Sequence, residues 1–228
     1  MTDFTATFEA GVNGATIATT DPGAATAWDL VNGAPVYSNT HASHGTLSGK
    51  IPAFDDWLRW SLPNVTDNYG RIYLYATVFP GTETVILACG RTTAPTHSFQ
   101  ITVRTDGALR IRDAIGTNTF GSVPIALNQW VRIEYFFHIE EDPNGVVEAR
   151  LFNDAASTTP DETIGGVGQA TGTFPFEYAT FGTIVFGAWG ADYWLDDIVA
   201  NATNWVGPVL GPPQVLSMQT HVFGHGVW

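Results

Sequence analysis

Aromatic and charged side chains alternate with apolar ones along several segments of the sequence, and they are the first candidates for binding chemistry. Aromatic rings can stack on the apolar faces of sugars, and Arg or Glu side chains can hydrogen-bond to sugar hydroxyls. The same combination is also usual at protein–protein interfaces. The alternating positions that face away from the predicted core are Trp57, Arg59, Tyr73, Tyr75, Arg132, Glu134 and Phe136. They predict a surface that binds either a glycan or another protein subunit.

Histidine and cysteine residues offer metal binding or nucleophilic chemistry, but their surroundings argue against both. His41 and His44 share the segment SNTHASHGT, and His221 and His225 share HVFGH. Spacings of three or four residues bring two imidazoles to one metal ion if the segment is helical. Nearby glycines and the lack of a helical pattern make exposed or interface histidines the favoured interpretation. Cys89 lies in the apolar run TVILACG, which is typical of a buried small side chain rather than a nucleophile.

Catalytic motifs are weak or absent in the sequence. Glycoside hydrolases use two carboxylates that flank the scissile bond. The nearest match is Glu140-Glu141-Asp142, but Pro-Asn-Gly follows it and predicts a turn instead of a strand facing a cleft. The sequence has no Gly-x-Ser-x-Gly elbow, no phosphate-binding loop and no His-Glu-x-x-His motif. We therefore predict a protein that is not an enzyme, with a glycoside hydrolase as the least favoured alternative.

The composition predicts one folded domain and argues against nucleic acid as a partner and against a membrane-spanning helix. The 228 residues are 44% hydrophobic, enough for a large core, and a single β-domain often reaches this length. The 9 basic and 22 acidic residues give a net charge of −13, which repels phosphate backbones and argues against nucleic acid as a partner. No apolar run approaches the roughly 20 residues that a membrane-spanning helix needs. A single cysteine excludes internal disulfide bonds.

Alternation with a period of two predicts strands throughout the chain. In RIYLYATVF it places Ile72, Leu74 and Val78 in the core. Asp106-Gly107 predicts a hairpin turn between two strands, because both residues tolerate positive φ. No segment has the pattern of an amphipathic helix longer than a turn or two. The other predicted strands include 57–62, 98–104, 108–112, 130–139 and 146–153, with more near the C-terminus.

Long connections and a final tail indicate contacts with a partner. The long connections, rich in Gly, Thr, Ala, Asn and Pro, are 10–27, 33–50, 113–128 and 154–175. Loops of this length usually bind something. We divide the chain into a domain over 1–206 and a tail over 207–228, which begins with a stiff Gly/Pro hinge and ends in apolar residues that include Phe223 and Trp228. We expect the tail to dock on its own domain or on a neighbouring subunit, and we therefore favour a protein interface over a glycan platform.

Three segments together resemble a known fold family. They are Phe8-Glu9-Ala10-Gly11 near the start, Trp130-Val131-Arg132-Ile133-Glu134 in a predicted strand, and Tyr193-Trp194-Leu195-Asp196-Asp197-Ile198 near the end. Over about residues 3–206 the chain resembles the concanavalin A-like lectin/glucanase jelly rolls, especially the laminin-G-like domains common in bacterial surface and phage virion proteins. The resemblance implies an all-β jelly-roll β-sandwich of two curved antiparallel sheets, with the first and last strands adjacent.

The resemblance also implies a site for a structural Ca²⁺. In similar sandwiches an acidic residue near the start of the domain and one near its end help to hold the ion, and oxygen ligands suit Ca²⁺. At the matching positions this sequence has Glu9, Asp196 and Asp197. The alternative interpretation is that these acids lie at the surface or accept local backbone hydrogen bonds. No other cofactor is implied.

The expected function combines this fold with the start of the sequence. The chain opens MTDFTATFEAG, which lacks the charged start and apolar run of a secretory signal. A binding module of an extracellular type that lacks such a signal can still leave the cell as part of a virus particle when the host lyses. We therefore predict a non-catalytic phage virion protein, located in the virion as a capsid decoration or minor tail protein. A stand-alone carbohydrate-binding module or lectin is the alternative.

The expected partners follow from this prediction. They are other virion proteins of the capsid or tail, with cell-surface glycans as a further ligand, and neither nucleic acid nor a membrane. We also expect a homo-oligomer or a part of a larger assembly, because the long loops and the apolar tail need a surface to cover them.

Overall fold

The computed structural model describes residues 3–19, 26–52, 55–91, 97–140, 144–169, 171, 175–184 and 189–209, with side chains for all of these except 97 and 98. Within these ranges the chain forms fifteen β-strands and no helix. The all-β class predicted from the alternation is confirmed. Phe223 and Trp228, and with them most of the predicted tail, lie outside the described residues.

Eight strands form the first sheet, which we call sheet I. In chain order they are β1 (Phe4–Ala6), β3 (Val36–Ser38), β4 (Ser48–Ile51), β6 (Asp67–Ala76), β11 (Trp130–His138), β12 (Gly145–Phe152), β13 (Glu162–Gln169) and β15 (Tyr193–Ala202). Their spatial order is β13-β12-β11-β6-β15-β4-β3, and β1 also pairs with β15. All of these pairs are antiparallel.

Seven strands form the second sheet, sheet II. In chain order they are β2 (Leu30–Asn32), β5 (Trp57–Val65), β7 (Thr84–Gly90), β8 (His97–Val103), β9 (Ala108–Arg112), β10 (Asn118–Pro124) and β14 (Phe176–Ile184). Their spatial order is β10-β9-β8-β7-β14-β5-β2, again with antiparallel pairs. The two sheets form a sandwich, as predicted.

The core lies between the inward faces of the two sheets and contains many aromatic rings. Phe99 of sheet II stacks on Phe137 of sheet I, with ring centroids 5.0 Å apart. Trp60 of sheet II stacks on Trp28 at 4.1 Å, and both indoles are almost completely buried. Aromatic pairs at these separations add to the large apolar area that each ring buries, so this ring cluster is a main source of stability.

The predicted strands form, but three of the predicted long loops also contain strands: 33–50 holds β3 and the start of β4, 113–128 holds β10, and 154–175 holds β13. Ile72 and Leu74 of β6 are fully buried, as predicted, but Val78 is 44% exposed because the strand ends at Ala76 and the alternation no longer applies. The predicted hairpin joins β8 to β9: Gly107 has a φ of 84°, and its N–H donates to the carbonyl of residue 104. That prediction is confirmed.

The last strand, β15, pairs with two strands from the first part of the chain, β1 and β4. Its first residues, Tyr193–Leu195, pair with β4, and Ile198–Ala200 pair with β1. The adjacency of first and last strands implied by the resemblance is therefore confirmed. Between the two pairings the register with β6 shifts, and Asp197 has a φ of 44°. This irregularity lies in the middle of sheet I and turns two carboxylates toward the loop that precedes β4.

Candidate functional site

The outer face of sheet I carries rows of aromatic and charged side chains. Along β6 and β11 the apolar residues of the alternation belong to the core, so the residues between them face outward. Cross-strand pairing arranges the outward residues in rows: Tyr75 with Trp130, Tyr73 with Arg132, Arg71 with Glu134, and Tyr69 with Phe136. Of the seven residues of the predicted binding surface, five therefore share one face: Tyr73, Tyr75, Arg132, Glu134 and Phe136.

The other two predicted residues, Trp57 and Arg59, lie in β5 of sheet II and do not belong to this face. The Arg59 guanidinium lies 4.6 Å from the centroid of the Trp57 ring and 4.2 Å from that of Tyr178, and its Nε donates to Thr180 Oγ1 at 2.8 Å. The single surface predicted from the alternation is thus two surfaces. Alternation reports which residues share a side of a strand, but it does not report which sheet the strand joins.

A cavity of about 360 Å³ opens on the outer face of sheet I, and we call it the Trp130 cavity. Trp130 and Tyr73 supply ring surfaces, His44 and Gln129 supply polar groups, and the loop 153–156 forms a wall that includes Asn153 and Asp154. Trp130 is only partly buried, so its ring is accessible from the cavity. One accessible ring surrounded by amides, an imidazole and a carboxylate can bind a ligand with apolar and hydroxylated faces.

His44 is held in the Trp130 cavity by the carboxylate of Asp197. The Nδ1 atom lies 2.5 Å from Asp197 Oδ2, and the imidazole meets the Tyr73 ring edge-on with centroids 5.2 Å apart. Burial raises the pKa of the Asp197 carboxyl, while its hydrogen bond to the imidazole acts in the opposite direction. An Asp197 carboxylate that accepts the proton of Nδ1 fixes the tautomer in which Nε2 is the hydrogen-bond acceptor of the ring.

Asp196 is completely buried behind this pair. Its Oδ2 accepts the N–H of Ser43 at 2.8 Å, and its Oδ1 accepts the N–H of Asp197. Burial and the adjacent carboxylate of Asp197 raise the pKa of Asp196 to about 8. The role of Asp196 here is structural, because it fixes the backbone of the loop that carries His44.

The carboxylates that the resemblance assigns to Ca²⁺ do lie in one region, since Glu9 and Asp196 both accept backbone N–H groups of the loop that precedes β4, and Asp197 contacts His44 of the same loop. In this structure, however, both oxygens of Glu9 accept backbone N–H groups, from Thr46 and Leu47, at 2.9 Å. Both oxygens of Asp196 likewise accept N–H groups. Among the residues with described coordinates, no group of three or more His, Cys, Asp or Glu side chains is arranged to hold a metal ion. The donor set fits backbone hydrogen bonding instead of Ca²⁺ coordination, and calcium binding stays a prediction.

An aromatic shelf extends from the Trp130 cavity along the same face. The Trp130 ring meets Tyr75 with centroids 5.5 Å apart, and Tyr75 in turn stacks on His41 at 3.9 Å with nearly parallel planes. Trp194 supports His41 from its edge at 4.4 Å. Burial lowers the pKa of His41, which favours the neutral ring in this stack. Trp130, Tyr75 and His41 are each partly exposed, so the shelf presents ring surface to solvent.

Backbone groups cover the next rows of the face. Arg132 donates to the carbonyls of Ala155 and Ser157, and Arg71 donates to the carbonyl of Gly207 at 2.7 Å. The Tyr73 hydroxyl accepts the N–H of Val209 at 2.9 Å. The first residues of the predicted tail therefore dock on their own domain, where they bind to two of the rows on sheet I.

The sequence analysis missed several site residues. Some of them could have been found from the alternation, and others could not. Trp130 stands two residues before Arg132 on the same strand, so the alternation that selects Arg132 also selects Trp130. His44 was predicted to be an exposed or interface histidine, and nothing local in the sequence shows that Asp197 contacts it. Of the predicted carboxylate cluster, Glu141 and Asp142 lie outside the described residues.

The described part of the chain holds no helix long and apolar enough to cross a membrane.

No protein-family model matches the sequence, and a comparison with curated proteins likewise finds no match. Solved structures do match. A marine PL-14 alginate lyase from Aplysia kurodai is 11% identical, with a TM-score of 0.61 over 83% of this chain and 96% of that one. Alginate lyase Aly36B is 10% identical, with a TM-score of 0.56 over 89% and 98%. The endo-β-1,4-glucuronan lyase from the fungus Trichoderma reesei is 11% identical, with a TM-score of 0.54 over 77% and 91%.

Likeness at this level of identity shows the fold. The chain is an all-β sandwich of two antiparallel sheets, like the jelly-roll-like structures that it matches. The concanavalin A-like architecture expected from the three sequence segments is consistent with these matches.

Proposed function

We propose that the protein binds glycans through the outer face of sheet I, with one sugar unit seated in the Trp130 cavity. The observation that carries this proposal is the composition of the cavity, in which an accessible indole lies beside His44, Gln129, Asn153 and Asp154 within about 360 Å³. A pyranose ring has an apolar face for the indole and hydroxyls that both donate and accept hydrogen bonds. The partly exposed shelf of Tyr75 and His41 continues the aromatic surface for further units of a glycan chain.

The names of the matched structures support a glycan as the ligand class, but they do not decide it. Three of them are named as lyases of alginate or glucuronan. A shared fold does not transfer a function, so the argument for glycan binding comes from the residues of the cavity.

A glycan array followed by titration tests this proposal with a matched pair of variants. Trp130→Ala removes the accessible ring of the cavity and should weaken binding by about tenfold or more, equivalent to about 1.4 kcal/mol. Trp57→Ala removes an equally large ring from sheet II, where it stacks under Arg59, and should leave affinity unchanged. Equal losses in both variants, or an array on which the wild-type protein binds nothing, would contradict glycan binding at this site.

The proposed setting is the one predicted from the sequence, a non-catalytic role on a phage particle with other virion proteins as neighbours. The fold and the acidic net charge of −13 are compatible with an exposed particle surface. Mass spectrometry of purified particles should detect the protein in a fixed ratio to the capsid or tail proteins. Its absence from particles, with presence in the lysate, would remove the virion role and leave a stand-alone lectin.

A second candidate function is cleavage of a glycan, and the contact between His44 and Asp197 favours it. A histidine oriented by a buried carboxylate inside a ligand-sized cavity is a common arrangement for proton transfer in catalysis. Under this alternative, incubation with the glycan that binds would release shorter products, and His44→Gln would abolish release while binding persisted. Intact glycan after long incubation with the wild-type protein supports the binding function alone.

A further inference from the structure

The outer face of sheet II carries a second surface with unused binding capacity, on the opposite side of the sandwich from the Trp130 cavity. We call it the Arg59 patch and define it by Leu30, Trp57, Arg59, Tyr178 and Ile184. Leu30 lies opposite Arg59 in the pairing of β2 with β5, so their side chains share one face. Leu30 is 45% exposed although it is a large apolar residue. Trp57 packs against a small apolar cluster that includes Ile184 and is separate from the main core.

The guanidinium of Arg59 is held in place, but its outer edge is free. It packs on the rings of Trp57 and Tyr178, and its Nε donates to Thr180 Oγ1 at 2.8 Å. The two Nη atoms make no hydrogen bond to any residue that the structure describes, and they are not buried, so a ligand can reach them. Stacking and the Thr180 bond thus orient a pair of charged donors toward solvent.

Arg59 also differs from most arginines of the chain because no carboxylate pairs with it. Ion pairs are formed by Arg91, Arg104, Arg110, Arg132 and Arg150. Arg59 forms no such pair within the described ranges, since Asp29 accepts the Ser61 N–H and Asp55 accepts Trp57 Nε1 instead. Burial lowers the pKa of Arg59, so its positive charge is poorly solvated. A carboxylate supplied by a ligand would complete this site.

The surroundings of Arg59 favour a peptide ligand over an acidic sugar. A carboxylate accepts hydrogen bonds from both Nη atoms at once, and either ligand can offer one. The hydroxyls of a sugar, however, need several polar partners, and the Thr180 hydroxyl already accepts the Arg59 Nε. The flanking side chains, Leu30 and Trp57, are apolar or aromatic and suit an apolar side chain. Trp, Tyr and Arg are also the residue types that contribute most to protein–protein binding.

We infer that the Arg59 patch docks an acidic segment of a partner protein. An Asp or Glu side chain of the partner pairs with the free edge of Arg59, and an apolar side chain next to it in the partner contacts Leu30 and Trp57. This interaction goes beyond glycan binding and does not depend on it. Glycan binding and protein binding then use opposite faces of the sandwich.

Selection of random short peptides on the full chain tests the chemistry of this patch. Peptides enriched on the wild type relative to Arg59→Gln should carry Asp or Glu beside Leu, Ile or Phe. An enriched peptide is then titrated together with a twin in which Gln or Asn replaces the acid. The control is Arg112→Gln, which removes the same charge from an exposed position of the same face, four strands and about 19 Å from Arg59.

A second variant covers the case in which loss of the partly buried Arg59 disturbs the fold. Leu30→Glu places a carboxylate opposite Arg59 at an exposed position of β2. This carboxylate should pair with Arg59 within the chain and compete with the peptide, while the buried residues of the sandwich stay unchanged.

The expected result is a loss confined to changes at the patch. Arg59→Gln and Leu30→Glu should each weaken peptide binding by about tenfold or more, as should the neutral twin, while Arg112→Gln binds like wild type. Equal losses in Arg59→Gln and Arg112→Gln, full affinity in Leu30→Glu, or no enrichment of acidic peptides overturns the inference. Uronate oligomers that displace the peptide and bind more tightly also overturn it, because the patch then belongs to an acidic sugar. Trp130→Ala should leave peptide binding unchanged, so the outcome is independent of glycan binding at the Trp130 cavity.

Discussion

Asp197 reaches the site only because its backbone is irregular. A φ of 44° is unusual for a residue other than glycine, and such conformations persist where the surrounding structure holds them. Here the hydrogen bond to His44 and the donation of Arg71 Nε to the Asp197 carbonyl at 3.2 Å hold it. The irregularity points the carboxylate out of sheet I, where it orients the imidazole in the Trp130 cavity.

The buried carboxyl of Asp196 makes stability depend on pH. Its pKa rises from 3.8 to about 8 in the folded protein, because burial and Asp197 disfavour the charged form. A raised pKa in the folded state means that the protonated form stabilises the fold. That contribution is complete below the unfolded pKa and is lost as pH rises through the folded pKa. Asp196 should therefore destabilise the protein progressively between about pH 4 and about pH 8.

Replacement of this carboxyl by an amide checks the effect. The free energy of unfolding of the wild type should fall relative to that of Asp196→Asn as pH rises through this window, by on the order of 5 kcal/mol at most. Urea titrations at a series of pH values measure the difference. Parallel curves for the two proteins would show that Asp196 is not held in the protonated form by folding.

At the scale of secondary-structure elements, the residues of the site are positioned by the pairing of two strands and by one loop. Strand β6 supplies Tyr73 and Tyr75, β11 supplies Trp130 and Arg132, and their register brings the two sets into rows. The loop between β3 and β4 brings His44 to the face, and hydrogen bonds from its backbone to Glu9 and Asp196 fix its shape. The two strands are long, with 10 and 9 residues, whereas the position of the loop depends on a few backbone hydrogen bonds.

The hairpin between β8 and β9 offers a direct test of turn chemistry. Gly107 has a φ of 84°, and a Cβ atom there would lie 2.4 Å from the Phe79 ring. Gly107→Ala should therefore lower the free energy of unfolding by roughly 1 kcal/mol or more, through backbone strain and displacement of the ring. Gly81→Ala is the control, because a Cβ there meets nothing within 4 Å. Equal midpoints of thermal unfolding for the two variants would contradict the role of this turn.

At the scale of the whole molecule, the ring cluster between the sheets holds the sandwich together. Trp60 is fully buried, stacks on Trp28 and meets Phe181 edge-on at 5.6 Å. Phe4 of β1 in sheet I also packs on Trp60, with ring centroids 5.7 Å apart, so the cluster joins the two sheets. Stability and the proposed glycan binding therefore depend on different residues: the core fixes the sandwich, and the outer face of sheet I carries the proposed site.

Truncation of a core ring should affect stability strongly. Trp60→Ala should lower the free energy of unfolding by roughly 3–5 kcal/mol, because it removes a large buried apolar surface and leaves a cavity. Trp130→Ala removes the same side chain from a partly exposed position and should lower it by less. Urea denaturation measures both. A smaller loss for Trp60→Ala than for Trp130→Ala would contradict this division between core and binding face.

The sequence by itself determined the longer strands such as β6 and β11, the Asp106-Gly107 turn and the side of those strands that faces the core, because these depend on residues that are close in the chain. Its resemblance to known jelly rolls also predicted that the first and last strands are adjacent. Only the tertiary structure decided that Trp57 and Arg59 belong to a different sheet from Tyr73 and Arg132, and that His44 meets Asp197. Pairing between strands far apart in sequence depends on how all the strands pack together around one core, and no local pattern records that choice.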